Sequence, residues 1–147
     1  MIRFFLFVVL LAGTIVSCNS TSFSIKKEKI IGILPYNGIN QSDIDSVQHT
    51  LINTYGFKVV VLDYIDVPQS AFTTRRSPRY RADSLLRYQR SIKPDSISII
   101  IGLTHKDISC TKIDPKTNQI KEPQNTYTDW GIFGLGEVGG KSCVVST

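Results

Sequence analysis

Ser96-Ile97-Ser98-Ile99-Ile100-Ile101-Gly102-Leu103 decides the fold. The run is apolar and β-branched almost throughout, and it leaves no polar face for water. A strand of that kind is buried on both sides, as in a parallel sheet covered by helices. The stretch before it has a helical period. Ala82, Leu85, Leu86 and Ile92 share one face, Ser77-Pro78 supplies a cap and a first turn, and Pro94 closes the segment. The spacing predicts a helix over Pro78 to Ile92, with a loop from Pro68 to Pro78 ahead of it.

The same alternation recurs further upstream. Ile30-Ile31-Gly32-Ile33-Leu34 and Lys58-Val59-Val60-Val61-Leu62 read as two more buried strands. Between them, Ile44, Val47, Leu51, Ile52 and Tyr55 recur at helical spacing. Ser42 is placed to cap that helix, with Asp45 three residues on, and Gly56 ends it. Two strand–helix–strand units in succession imply right-handed crossovers. The expected fold is therefore α/β, a mixed and mostly parallel twisted sheet with two crossover helices.

Past Leu103 the pattern changes. Asp114-Pro115-Lys116-Thr117-Asn118 reads as a turn, and no helical period appears before Asp129. Gly131 to Gly136 and Cys143 to Ser146 read as short strands around a Gly-rich turn. Only two helices are legible for a sheet that wants cover on both faces, so the sheet domain is expected to be cut short.

The N-terminus carries a different message. Arg3 precedes an apolar run from Phe4 to Leu11, loosely continued to Val16. This run falls short of the roughly 20 apolar residues a spanning helix needs, and it fits a secretory signal. Its end, Ile15-Val16-Ser17-Cys18, resembles the bacterial lipobox, in which a thiol accepts the diacylglyceryl group. Residues 1–17 are thus expected to be a lipoprotein signal peptide, and Cys18 the lipid attachment site. Asn19 to Lys29 continues as a polar tether, and the domain occupies 30–147. The expected location is the bacterial cell envelope, anchored to a membrane outside the cytoplasm.

The formal charge is +5 over 147 residues. Spread over a domain of this size, so mild a surplus does not argue for nucleic acid, which favours dense basic patches. Arg75, Arg76, Arg79 and Arg81 crowd around Tyr80, and either meet phosphates or lipid headgroups or form a solvated loop and helix start. Cys110 and Cys143 are an even pair in an oxidising compartment, readable as a disulfide or as two buried thiols.

Nucleotide motifs fail on spacing. Gly134-Leu-Gly-Glu-Val-Gly-Gly-Lys141-Ser142 places five or three residues, not four, before Gly-Lys-Ser, and Cys143-Val144-Val145 reads as a strand where the motif needs a helix. The two histidines, His49 and His105, share no ligand spacing.

Several strings, taken in order, resemble the archaemetzincin family of zinc metallopeptidases. They are Ile31-Gly-Ile-Leu-Pro35, Pro68-Gln-Ser-Ala-Phe72 with Arg75 to Leu86, Ile100-Ile-Gly-Leu-Thr104 followed by Asp107-Ile108, Trp130-Gly-Ile-Phe-Gly134, and Lys141-Ser-Cys-Val-Val-Ser146. The resemblance runs from Ile30 to Thr147. It implies the N-terminal sheet subdomain of a metzincin, zinc in the complete family member, and a peptide or protein substrate. Gly131, Ile132, Phe133, Gly134 and Leu135 would then form an edge strand that pairs with extended peptide. The family's H-E-x-x-H-x-x-G-x-x-H motif is absent, and the only methionine is Met1. No catalytic or metal-binding residue therefore transfers to this chain. The function expected is the N-terminal portion of an exported, lipid-anchored protease, catalytically incomplete as given. The other reading is a non-catalytic envelope lipoprotein that binds a peptide or protein partner.

Overall fold

The computed structural model describes residues 29–147; the signal, Cys18 and nearly all of the tether lie outside them. Among the described residues there are two sheets and three α-helices. The larger sheet contains β1 (Ile30–Pro35), β2 (Lys58–Val61), β5 (Ile99–Thr104), β8 (Gly134–Gly136) and β9 (Ser142–Ser146), in the order β2-β1-β5-β9-β8. Its first four strands run parallel, and β8 pairs antiparallel with β9. The mixed, mostly parallel sheet with two crossover helices is thus observed.

Helix α1 (Gln41–Tyr55) links β1 to β2, and α2 (Ala82–Ile92) leads into β5 on the other side of β1. Right-handed crossovers in opposite directions put the two helices on opposite faces. The core divides accordingly. Ile33, Ile44 and Leu103 are buried on the α1 side, while Leu34, Leu85, Leu86, Ile100 and Val144 are buried on the α2 side. Alternate residues of one strand serve different layers, which is why β1 and β5 have no polar face. Each fully buried leucine or isoleucine contributes about 1.5–3 kcal/mol.

Cover is uneven. Helix α2 packs across β5, β9 and β8, whereas α1 packs on β1 and β2. On the α1 side, Val145, Gly134 and Gly136 are exposed. Phe133 next to them is 87% exposed, and Val138 in the β8–β9 turn is fully so. An apolar strip at the β8–β9 end of the sheet therefore lies open among the described residues. No helix among them is long and apolar enough to cross a membrane.

Several local expectations need correction. Helix α1 is capped two residues earlier than expected, at Asn40 and without a side-chain capping bond. Ser42 lies inside the first turn, and the Asp45 carboxylate accepts from Gln41 Nε2 at 2.8 Å. Ile52 and Tyr55 are exposed, so the buried stripe narrows to Ile44 with Val47 and Leu51. Helix α2 starts at Ala82, not Pro78. Arg79–Arg81 forms strand β4 instead, with the Tyr80 N–H donating to the Asp107 carbonyl at 2.8 Å. At the other end of α2, Ile92 is exposed and Gln89 is buried in its place.

Strand β4 belongs to a second sheet that the sequence did not reveal. It has the order β3-β4-β6-β7, with β3 (Phe72–Thr73), β6 (Ile108–Cys110) and β7 (Trp130–Ile132). Its strands are two or three residues long, too short to show an alternation. The turn around Asp114 is present, closed by Asn118 N–H to Asp114 O at 2.8 Å. A one-turn helix, α3 (Gln124–Tyr127), comes next.

Candidate functional site: an open edge and the cleft beside it

The segment Trp130 to Gly136 runs along the margins of both sheets. As β7 it closes the small sheet, and as β8 it closes the large one. Phe133 is the joint between them, its carbonyl accepting from the Ser146 N–H at 2.8 Å. The expected edge strand Gly131 to Leu135 is thus two short strands with a break at Phe133. Hydrogen bonding alternates along an antiparallel pair. With Phe133 and Ser146 bonded, Leu135 faces β9, and Gly134 and Gly136 turn their N–H and C=O groups outward. Neither glycine carries a side chain that would cover that edge.

A cleft of about 280 Å³ opens beside this segment. Its walls include Arg79, His105, Asp107, Gly131, Phe133 and Thr147. It sits near the carboxyl ends of β5 and β9, where open α/β sheets bind ligands. His105 is held in place: Nδ1 meets Thr147 Oγ1 at 3.0 Å, and Nε2 lies 3.6 Å from Asp43 Oδ2 at the start of α1. Arg79 is different. Its Nε is buried without a hydrogen-bond partner. Its Nη1 would lie 2.9 Å from a Cβ added at Gly131, so only glycine there leaves the guanidinium its place.

The four clustered arginines separate in the fold. Arg81 is an internal strut, donating to Thr128 O at 2.8 Å and Thr111 Oγ1 at 2.9 Å, and pairing with Asp83 at 3.1 Å. Asp129 is fully buried at 3.7 Å from Arg81, with neither oxygen hydrogen-bonded. Arg76 donates to Thr126 O at 3.2 Å. Arg75 is exposed beside it. Only Arg79 turns into the cleft. Its role was not legible, because nothing in the string distinguishes it from Arg81 two residues on.

No P-loop forms. Ser142 opens strand β9, not a helix, and its hydroxyl donates to Gln89 Oε1 at 2.7 Å. The residues present do not fit a zinc site either. Among the described residues no three His, Cys, Asp or Glu side chains converge. His49 contacts Asn53 at 2.6 Å, a full helical turn along α1.

Cys110 and Cys143 are free thiols, one on each sheet, and the structure does not join them. Burial pushes both above the ordinary thiol range; for Cys110, Arg81 and Lys112 oppose it in part. Thiolate is the reacting species, so less of it forms at neutral pH. Iodoacetamide should therefore label the folded protein several-fold more slowly than a free cysteine at pH 7. After unfolding without reductant both should label; a mass lacking both adducts would establish the disulfide.

No family model and no curated protein sequence matches this chain. Solved structures do. The crystal structure of archaemetzincin from Archaeoglobus fulgidus, complexed with malonate, superposes with a TM-score of 0.55 at 25% identity over 80% of this chain. That from Methanopyrus kandleri superposes with a TM-score of 0.55 at 21% identity over 84%. The chain has an archaemetzincin-like fold, and it spans 60% and 61% of the length of those two structures.

Proposed function

We propose, with the archaemetzincin-like fold as premise, that this chain is the N-terminal, peptide-holding portion of an exported, lipid-anchored zinc-dependent protease. One observation carries the reading: an antiparallel strand, β8, closes an otherwise parallel sheet and leaves its outer backbone unpaired. An extended peptide can add to such an edge through main-chain hydrogen bonds. With Gly134 and Gly136 at the outward positions, no side chain of β8 obstructs its approach. The chain has no H-E pair and no converging ligands among the described residues. On this reading zinc and the general base would come from the part of the archaemetzincin length that this chain does not span. The open apolar strip at Val145 and Phe133 is consistent with a missing packing layer.

The absent ligand set also favours a second reading, a non-catalytic envelope lipoprotein that binds a peptide or protein partner on the same edge. Both readings make the edge a peptide site. Hydrogen exchange tests it directly: an extended peptide should slow the Gly134 and Gly136 amides about tenfold or more, with Leu135 changing little. Unchanged rates at the two glycines at saturating peptide would remove the site. The two readings part on supplying the missing portion in trans with zinc, which restores peptide hydrolysis only under the first.

A further inference from the structure

We infer that the cleft between Arg79 and the Gly131–Phe133 segment is an oxyanion site, built to take a carboxylate or a phosphate. A guanidinium carries a fixed charge and a planar fork of donors matched to two oxygens of an anion. Arg79 offers that fork with no hydrogen-bond or ion-pair partner among the described residues, and its Nε is shut off from water. A buried donor left unpaired is costly, and a native protein keeps one where something else supplies the acceptor. The other arginines nearby show the contrast, since Arg76 and Arg81 are both satisfied by backbone carbonyls.

The cleft is shaped for this. Gly131 leaves the space that Nη1 occupies. His105, its two nitrogens engaged by Thr147 and Asp43, forms a fixed wall of the cleft. Asp107, the one acidic side chain in the wall, is exposed, so water screens its repulsion, whereas Arg79 acts from a drier position where a charge counts for more.

Gly131, Ile132 and Phe133 line the cleft and also belong to the open margin. A peptide lying along that margin would bring its terminal carboxylate, or an acidic side chain, to Arg79. This part of the inference rests on the peptide-edge reading, and the oxyanion site itself does not.

The test uses the full chain purified in mild detergent and three probes. These are a five-residue Val/Thr peptide with an N-terminal fluorophore and a free carboxylate, the same peptide as its C-terminal amide, and inorganic phosphate. Fluorescence anisotropy should show the acid peptide binding about tenfold or more tightly than the amide, with phosphate competing. Arg79→Gln should abolish that difference. Phosphate binding that depends on Arg79, with neither peptide bound, supports the oxyanion site and rejects the peptide edge. Equal binding of acid and amide, unaffected by Arg79→Gln, overturns the site and leaves the edge standing. If no probe binds at millimolar concentration, the site is wrong. Should Arg79→Gln fail to melt cooperatively, Arg79→Lys replaces it. Loss of the planar fork should then weaken the acid peptide at least about threefold, and unchanged affinity overturns the inference.

Discussion

Gly102→Ala is expected to destabilise the domain by about 3–5 kcal/mol, combining overpacking with the loss of buried hydrogen bonds. Gly102 lies in β5 directly under Gln89 of α2. A Cβ at that position would stand 1.9 Å from Gln89 Nε2 and 3.0 Å from Tyr36 Cε2. A glutamine end can normally swing aside, but this one cannot without cost. Gln89 is fully buried, donates to the Tyr36 hydroxyl at 3.3 Å and accepts from Ser142 at 2.7 Å. Moving its amide strands the Tyr36 hydroxyl in a site dry enough to push its pKa up to about 12, and leaves Ser142 only the longer bond to the Leu86 carbonyl at 3.3 Å. These three side chains join the segment just after β1 to β9 and α2. A loss of this size is a large part of a small domain's whole stability.

Urea unfolding followed through Trp130, the single tryptophan, measures the effect. The double variant Gly102→Ala with Gln89→Ala should be less destabilised than the sum of the two singles by at least about 1 kcal/mol, because removing the amide removes the clash. Additive losses, or a Gly102→Ala melt like that of wild type, would show that the amide has another place to go.

Cys18→Ser is expected to shift the protein from the membrane fraction to the soluble fraction, or to stop its processing altogether. The argument is chemical. Thioether formation requires the thiol that comes after Ile15-Val16-Ser17, and serine does not replace it. Two or three acyl chains anchor a protein stably where one is marginal, so the change is nearly all-or-none. Fractionation of cells, with intact mass of the recovered chain, decides it. Wild type should lack residues 1–17 and carry added lipid mass. A serine variant that is processed and membrane-bound like wild type would refute the anchor.

Much of the large sheet was legible from the chain. Two runs, Ile30–Leu34 and Ile97–Leu103, are apolar almost throughout and lie in the middle of the sheet, buried on both faces. Lys58–Leu62 read the same way, but β2 is an edge strand and its Lys58 and Val60 are exposed, because nothing in a local run says whether a neighbour will cover it. The helix-period segments between them fixed the crossovers. The strings that resemble archaemetzincins led to the fold that the solved structures share. The small sheet was not legible, since strands of two or three residues show no period. Ser77-Pro78 looked like a helix start because local signals cannot report that Tyr80 N–H is taken by Asp107, 27 residues away.

The candidate site divides the same way. That glycines punctuate a strand from Gly131 to Gly136 is written in the sequence, because glycine identity is local. Which of their backbone groups point outward depends on pairing with β9, and pairing is a long-range fact. The four arginines were visible as a cluster, but a cluster of like residues cannot say which is satisfied. Backbone carbonyls from Thr126 and Thr128, brought in by α3 and the turn after it, occupy Arg76 and Arg81. The same fold lays Gly131 beneath Arg79 and leaves that guanidinium bare. Composition and periodicity determined which segments are buried and how they cross. Only tertiary packing, which matches donors to acceptors far apart in the chain, decided where an unpaired charge and an unpaired edge would lie.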